Sequence, residues 1–449
     1  MWATSVLGRA VFPDHRLKLR AIAVLAQKAR RPSDSIPQGA GSPAAAKGTY
    51  RFLENKRVSA KLLWLPIHEH GARSLRGSDR ALAIQDTTFL NLPTLEATEG
   101  LGTVGGEDEE ALLMHSVLAV RPDGHILGML DNQVWARPPE ELGKAKDRKS
   151  RPIEDKESAK WLRGMARAAA RRDRWSPGTR LVHVGDREAD IHEVFEKALA
   201  LGDDVLVRCS VDRRVEGEFG HVRATLAARP VLALARVQVP RKKGQPRRWA
   251  NVEVRSATVR LDPPRWHPGR RPVTLGVVWV HEASSPPGVE PLDWLLWTTL
   301  AVGTAAEAMQ VVEFYRLRWR IEDFHRTLKD GCKIERTQLK RAERIETLAA
   351  LCSTVAVRLL QLTHWARTEP TRPCTEVLCG DEWHVLWVRV HGGPLPPGQE
   401  PPTMREAVRM IGRLGGHLGR KCDGLPGVRS LWKGWYVLQL LVEGYHIRI

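Results

Sequence analysis

Two aspartates stand where the sequence could place acid groups side by side. Asp86 ends the apolar run ALAIQD, and Asp186 ends the apolar run LVHVGD. A side chain at the carboxyl end of a sheet strand points into the crevice where α/β proteins bind ligands. Taken alone, an aspartate at such a position more often caps a turn or a helix. The two act together only if their strands are neighbours.

A third carboxylate, Glu322, falls in a segment with helical periodicity, from about 304 to 329. At 100° per residue, a single helix would place four polar residues on one narrow stripe: Tyr315, Arg318, Glu322 and Lys329. The opposite face would be apolar, with Leu317, Ile321, Phe324 and Leu328. The alternative is a surface helix with ordinary solvated charges. The stripe favours a helix that packs on a sheet and presents Glu322 at a crevice.

Three converging carboxylates indicate bound cations, because they would otherwise repel each other. Oxygen ligands without Cys or His suit Mg²⁺, with Mn²⁺ as a substitute. Two such ions about 4 Å apart promote in-line displacement at a phosphodiester. The formal net charge of +18 and pI near 10.0 indicate a polyanionic partner. Together these features favour double-stranded DNA as substrate, whereas an RNA-binding housekeeping protein would explain only the charge.

The elements around these residues predict a mixed sheet flanked by helices. A strand at 81–86 precedes a hairpin, and alternating strands and helices follow. The predicted ranges are 112–120, 126–136, 156–171 (helix), 181–186, 189–200 (helix) and 204–210. Residues 212–300 are mostly strands, at 231–239, 249–261, 273–281 and 294–300. The basic turn 241–248 is either a solvated hairpin tip or a phosphate contact.

The two ends of the chain are predicted to be helical. Helices at 15–31 and 49–55 form either a DNA-reading element or an ordinary bundle. A helix at 345–365 and two amphipathic helices at 403–419 and 429–446 follow the candidate site. The second of these offers apolar residues either for pairing with another chain or for the protein's own core: Leu431, Trp432, Trp435, Leu438 and Leu441.

The sequence gives no sign of export or of a membrane span. No run of 18 apolar residues occurs, and residues 1–16 lack the pattern of a signal peptide. The six cysteines are scattered, which is unlike a disulfide framework or a four-ligand zinc site. We therefore expect a cytosolic protein with reduced thiols.

The spacing Tyr315-x2-Arg318-x3-Glu322-x6-Lys329 resembles the Y-R-E-K signature of the bacterial insertion-sequence transposases related to the transposon-five enzyme. IQDTT at 84–88 resembles that family's first-aspartate motif, and GDREADI at 185–191 resembles the second. The similarity extends to YRFLEN at 50–55 and RLGGHLGRKCDGLPG at 413–427. Only the first dozen residues and 366–402 match less well.

The resemblance implies an α/β fold with a ribonuclease-H-like mixed sheet and flanking helices, a mostly β insertion before the glutamate helix, and helical ends. It implies three regions: a helical DNA-binding region at 1–75, a catalytic domain at 76–365, and a helical C-terminal region at 366–449 that is the candidate for dimerisation. Asp86, Asp186 and Glu322 would hold two Mg²⁺ ions. The implied DNA contacts are Tyr315, Arg318, Lys329, Arg208 and Trp294.

The resemblance implies a particular role for two of these DNA contacts. Arg208 resembles a further DNA-contacting arginine. Trp294 stands where the family has an aromatic that stacks on a flipped base, a contact worth about 1–3 kcal/mol. Its alternative is packing in the core, and Trp297 is a competitor for the stacking role.

The implied activity is cut-and-paste DNA transposition. One site would nick the transposon end, form and open a hairpin, and join the end to target DNA. A homodimer would hold two ends, each cut by the partner's site, in the bacterial cytoplasm at the nucleoid. Two other functions fit the same motifs: a metal-dependent nuclease that does not join, and a catalytically silent DNA-binding regulator descended from a transposase.

Overall fold

The computed structural model describes residues 2–92, 98–103, 110–138, 151–239, 248–264, 270–420 and 423–446. The chain forms two compact units, each described here by itself. The first, the aspartate unit, comprises 76–86 and 143–319. The second, the terminal unit, comprises 1–75, 87–142 and 320–449. Most of the predicted basic turn 241–248 lies outside the described residues.

The N-terminal region is helical, as predicted. Its helices are α1 (Trp2–Leu7), α2 (His15–Arg30), α3 (Ile36–Gly39), α4 (Pro43–Glu54) and α5 (Ala60–Arg73). Asp14 caps α2 by accepting a hydrogen bond from the Arg16 backbone N–H at 2.8 Å. The second helix, predicted from residue 49, begins at Pro43 because Ser42 caps it and proline suits the first helical position.

The next four strands include the predicted hairpin, which the last two of them form. They are β1 (Arg80–Asn91), β2 (Gly102–Thr103), β3 (Glu110–Val120) and β4 (Ile126–Trp135), and β3 pairs antiparallel with β4. The prediction that β1 ends on Asp86 is wrong. The strand continues for five residues because Thr87, Thr88 and Phe89 also favour extended backbone.

The aspartate unit is built on parallel strands covered by helices. Its next elements are α6 (Ala159–Trp175), β5 (Arg180–Gly185), α7 (His192–Ala200), β6 (Asp204–Arg208) and α8 (Val222–Ala227). β1 pairs parallel with β5, and β5 pairs parallel with β6. The α6 and α7 helices bury Trp161 and Phe195 in the core. This arrangement places Asp86, within β1, level with the end of β5.

The β-rich segment extends the same sheet. Its strands are β7 (Ala233–Val239), β8 (Arg248–Leu261), β9 (Val273–His281) and β10 (Asp293–Thr298). From β6 the order is β10, β9, β8, β7, and all of these pairs are antiparallel. Two helices follow, α9 (Ala305–Arg316) and α10 (Trp319–Arg326). The predicted β insertion is therefore confirmed, and the sheet is mixed.

The remaining helices belong to the terminal unit. They are α11 (Ala342–Thr368), α12 (Gly380–His391), α13 (Met404–Leu414) and α14 (Val428–His446). By length and composition α11 could cross a membrane, but 83% of its most apolar window is buried inside the protein. A core helix gives the same signal. Polar residues interrupt the apolar positions of α11, so the search for a run of 18 apolar residues did not identify this helix.

The apolar residues of α14 complete the protein's own core. Leu431, Trp435 and Leu438 are buried, and the Trp435 indole donates a hydrogen bond to the Ala29 carbonyl at 2.8 Å. Trp432 is also buried, and Leu441 is half-buried. Of the two predicted roles for these residues, packing within the chain is therefore the one that the structure shows.

Candidate active site

Asp86 and Asp186 lie on adjacent parallel strands at the same level. The register pairs Ile84 with Val184, so each aspartate stands two residues beyond a paired position. Neighbouring strands are separated by about 4.8 Å. Both side chains are half-buried. The predicted pairing of the two acidic groups is thus present within one unit.

The turn after β5 is capped by Asp186, the alternative role that the sequence left open, and is held by further contacts that the sequence did not predict. Asp186 accepts a hydrogen bond from the Glu188 N–H at 2.9 Å. The Lys160 ammonium lies 2.9 Å from the Glu188 carboxylate, and its side chain is only 1% exposed. A Cβ on Gly185 would come within 2.5 Å of Ala189 Cβ. A lysine on a basic helix looks solvent-exposed in sequence, so no signal marked Lys160.

Arg318 supplies positive charge beside the first aspartate. Its guanidinium lies 4.0 Å from the Asp86 carboxylate, and the two side chains are 11% and 19% exposed. The same guanidinium lies 6.0 Å from the centre of the Tyr315 ring and 5.2 Å from that of Trp319. These contacts hold the cation where it can neutralise a carboxylate or a phosphate.

Tyr315 and Trp294 pack against each other rather than facing solvent. Their ring centres are 5.2 Å apart in an edge-to-face arrangement, and they are 2% and 4% exposed. Burial raises the pKa of Tyr315, and the charges of Arg318 and Arg208 oppose that shift. Trp297 is fully buried in the core. Neither indole presents an open face to a base in this structure.

Arg208 lies near this aromatic pair at the end of β6. Its guanidinium donates a hydrogen bond to the Asp293 carbonyl at 3.0 Å. Burial lowers its pKa, as do the neighbouring charges of Arg187 and Arg318, while Tyr315 and Asp293 act in the opposite direction. Arginine remains protonated at such shifts. The aspartate unit thus places two arginines around Tyr315.

The single long helix predicted for 304–329 is wrong. The α9 helix ends at Arg316, Leu317 and Arg318 form a turn, and α10 begins at Trp319. The Leu317 and Arg318 N–H groups bond three residues back, which tightens and ends the helix. Tyr315 and Glu322 therefore occupy different helices, and the continuous stripe does not exist. No glycine or proline marks this break, so the sequence carried no signal for it.

Glu322 and Lys329 belong to the terminal unit. Glu322 is half-buried in the first turn of α10. Lys329 lies in a π-helical turn, Thr327–Gly331, a distortion often found at functional sites. Its ammonium is 3.2 Å from Glu335, whose carboxylate also accepts the Asn91 N–H at 2.9 Å. The lysine head is therefore oriented by an acidic neighbour.

The chemistry of the aspartate pair suits a divalent cation. Carboxylate oxygens are the ligands preferred by Mg²⁺ and Mn²⁺. Among the described residues, no three His, Cys, Asp or Glu side chains are grouped so that they could hold a metal ion. The aspartate pair fits a metal, and the participation of Glu322 stays a prediction.

Three family models match this chain. A transposase DNA-binding model matches residues 1–58, a transposase DDE domain model matches 151–358, and a transposase Tn5 dimerisation domain model matches 354–448. The DDE domain has a ribonuclease-H-like fold, in agreement with the mixed sheet and flanking helices. Its members are DNA-cleaving and DNA-transferring enzymes that generally use divalent metal ions.

The matches to the ends of the chain add two properties to the catalytic one. The N-terminal match indicates DNA binding, and the C-terminal match indicates dimer formation. The three models together match residues 1–58 and 151–448. The chain belongs to the Tn5-like family of DDE transposases and is a DNA transposase.

Proposed function

We propose that this protein carries out cut-and-paste transposition of an insertion sequence through a DNA hairpin. The main support is the pair Asp86 and Asp186 on adjacent parallel strands, with the Arg318 guanidinium 4.0 Å from Asp86. Oxygen ligands beside a fixed cation suit a site for phosphodiester cleavage. The same site would serve nicking, hairpin formation, hairpin opening and strand transfer, because each is an in-line displacement with a different nucleophile.

The three carboxylates have the proposed role of metal ligands. Asp86, Asp186 and Glu322 would hold two Mg²⁺ ions. Bound ions of this kind lower the pKa of a nucleophilic water or hydroxyl and stabilise the leaving oxygen. The protein's own contribution is to fix the ligands: the Glu188 N–H orients Asp186, and strand pairing orients Asp86. Pre-oriented ligands avoid reorganisation during the reaction.

The proposed phosphate contacts come from both units. Arg318, held over the Tyr315 ring, would bind a phosphate next to the scissile bond. Lys329 would bind another, with Glu335 orienting its ammonium until DNA replaces that contact. Arg208 would support the Tyr315 and Arg318 cluster from the end of β6. Guanidinium groups suit phosphate because they offer paired donors.

Trp294 keeps its proposed role as the base-stacking residue of the hairpin step. Its indole contacts Tyr315 and is 4% exposed, so stacking requires the two rings to separate when DNA binds. Stacking worth about 1–3 kcal/mol per base could compensate for that separation. A Trp294→Ala variant is therefore expected to accumulate nicked ends and to yield few hairpins.

The proposed assembly is a homodimer that holds two transposon ends. Residues 1–75 would bind end repeats, 76–365 would cut and join, and 366–449 would pair the two copies. Each site would cut the end bound by the partner copy. We place this activity in the bacterial cytoplasm, at the nucleoid.

The decisive experiment is cleavage of a labelled linear DNA that carries the host element's terminal repeat. Wild type is compared with Asp186→Ala in Mg²⁺, Mn²⁺ and EDTA. Metal-dependent nicks at the repeat boundary, absent from the variant, are expected. A target plasmid added to the same reaction tests joining. Cleavage without joining would indicate a nuclease, and tight binding without cleavage in either metal would indicate a regulator.

Glu322 is tested with a matched pair of substitutions. Glu322→Ala should abolish cleavage and leave end binding intact, because it removes a ligand without removing positive charge. Glu313→Ala, on the exposed side of α9 where Glu313 pairs with Arg316, is the control and should cleave like wild type. Lost binding with retained cleavage in the Glu322 variant would contradict its assignment.

A further inference from the structure

A groove in the terminal unit carries five basic side chains. The groove encloses about 1100 Å³ and contains Lys329, Lys333, Arg336, Arg429 and Lys433, which we call the basic groove. Lys333 and Arg336 come from the segment after the π-helical turn, and the last two come from α14. Lys329 is the only one of the five that the sequence motifs identified.

Most of these cations have no acidic partner within the part of the chain that the structure describes. Lys333, Arg336, Arg429 and Lys433 are exposed and form no ion pair among the described residues. Three acidic residues also line the groove. Glu335 contacts Lys329, Asp34 lies 3.3 Å from Arg31, and Asp330 is exposed. Five cations against three carboxylates leave the groove with net positive charge, which favours an anionic occupant.

The backbone at Lys333 is unusual for a residue with a side chain. Its φ of 50° and ψ of 40° lie in the left-handed region, and among the described residues it is the one non-glycine position with positive φ. Glycine adopts this conformation without steric cost, whereas lysine does not. Strained backbone of this kind concentrates at functional sites. The strain here presents an ammonium group at the groove.

The shape and composition of the groove favour an extended polyanion. Trp432 and Tyr436 contribute aromatic surface between the cations. A second cavity of about 370 Å³ shares Lys333, Arg336 and the 33–38 segment, which lies within the transposase DNA-binding match. The cations of the groove therefore border residues of that region. A small anion would fill only a fraction of this space.

We propose that the basic groove binds the sugar-phosphate backbone of end DNA beside the phosphate contacted by Lys329, and that Lys333 and Arg336 each neutralise one further phosphate. This inference rests on the proposed function, because it assumes that Lys329 contacts end DNA. It adds a binding surface and two residues that the Y-R-E-K motif does not include.

The test measures binding of duplex end DNA in EDTA, so that cleavage plays no part. Affinity is measured from about 50 to about 200 mM salt, where each neutralised phosphate contributes about 0.9 to the log–log slope. Lys333→Gly with Arg336→Ala should lower the slope by about two and weaken binding by at least tenfold. Lys333→Arg should bind like wild type. Unchanged slopes in the double variant would overturn the proposal.

Two controls keep the result interpretable. Lys333→Gly suits the left-handed backbone, so a weaker complex would not reflect misfolding. Arg409→Ala removes one exposed cation from α13, outside the groove, and should leave the slope unchanged. If the groove variants alter self-association but not the salt dependence, the groove is a protein interface and the proposal is wrong.

Ethylation interference then locates the contacts. Wild type should show interference at two phosphates that disappears in the double variant, next to the interference lost in Lys329→Ala. An identical interference pattern in both proteins would contradict the proposal. Metal-dependent cleavage of the end repeat by wild type, measured separately, shows whether the proposed function itself holds.

Discussion

The two ends of strand β5 hold their charged groups in opposite ways. At its start, the Asp203 carboxylate accepts the Leu181 N–H and pairs with Arg172, and His183 from the middle of the strand lies 3.1 Å from it. The His183 and Arg172 side chains are 2% and 8% exposed. After its end, Asp186 stands level with Asp86 on the neighbouring strand, and both are half-buried. The first set is closed, because its carboxylate is bonded to both buried side chains. The second keeps oxygen atoms accessible for ligands, at the cost of like-charge repulsion.

This difference separates charges that stabilise the fold from charges that perform chemistry. The Asp203 carboxylate contacts two side chains and the Leu181 N–H at 3.2 Å. A buried charge is tolerated only when such partners compensate for its desolvation. A pair of adjacent carboxylates is instead best compensated by cations from outside. Mutations at the two ends should therefore affect different properties.

The largest effect is expected from Asp186→Asn at the open end. End cleavage should fall by at least roughly a thousandfold, because the loss of a metal ligand removes several kcal/mol of transition-state stabilisation. Stability should change little, because the asparagine oxygen can still cap the turn at the Glu188 N–H. Cleavage kinetics and thermal unfolding measure the two effects. Near-normal cleavage would exclude Asp186 as a ligand.

The closed end should respond in the opposite sense. Asp203→Ala leaves the buried Arg172 and His183 without their shared acid, so the free energy of unfolding should fall by about 3–5 kcal/mol. Asp173→Ala is the control, because Asp173 also pairs with Arg172 but is 65% exposed, and its effect should stay below about 1 kcal/mol. Urea unfolding measures both. Equal losses of unfolding free energy in the two variants would show that burial does not determine how much each ion pair with Arg172 contributes to stability.

The pH dependence of stability sharpens the same contrast. Burial acts to raise the pKa of Asp203, but hydrogen bonds and charge from His183 and Arg172 outweigh it and hold the pKa below its usual value. The contribution of the carboxylate is therefore complete above the unfolded pKa of about 4 and is lost as the pH falls through the folded value. The stability difference between wild type and Asp203→Asn should shrink from pH about 5 to about 3, as followed by urea unfolding. A stability difference that stays constant over this pH range would contradict the lowered pKa of Asp203.

A glycine at the end of β5 connects packing to the open end. Gly185→Ala would force a Cβ to within 2.5 Å of Ala189 Cβ and 3.0 Å of the Trp161 ring. We expect a loss of about 1–3 kcal/mol of stability from overpacking, together with slower cleavage because the Asp186 turn shifts. The free energy of chemical unfolding and the cleavage rate should both decrease. A stable variant with normal cleavage would show that the turn adapts freely.

The sequence predicted the open end far better than the closed one. Asp86 and Asp186 follow apolar runs, and that local pattern is visible without a structure. The contact of Asp203 with His183 and Arg172 joins residues 20 and 31 positions apart, so only tertiary packing reveals it. Periodicity found most strands and helices because burial sets the spacing of apolar residues.

The glutamate segment shows where periodicity fails. The motif located Tyr315, Arg318 and Glu322 by spacing, yet the helix breaks at Leu317 and Arg318 without a glycine or proline. The residue types on both sides are compatible with a continuous helix, and the break is made by hydrogen bonds to the residue three positions back. Local propensity is a weak guide where tertiary packing decides.

The smallest effect is expected from Tyr315→Phe, at the junction made by that break. The ring is 2% exposed and packs edge-to-face on Trp294, and phenylalanine keeps that packing. Stability should therefore change by less than about 1 kcal/mol. The hydroxyl beside Arg318 is lost, so binding or cleavage of end DNA should weaken by about tenfold, the lower end of the value of one hydrogen bond to a charged group. Binding isotherms and single-turnover cleavage distinguish the two steps.

Tyr315→Ala, which also removes the packing, should reduce stability clearly. If Tyr315→Phe cleaves as fast as wild type, the ring serves only to support Trp294 and Arg318, and the tyrosine of the motif belongs with the closed, structural residues rather than with the open end.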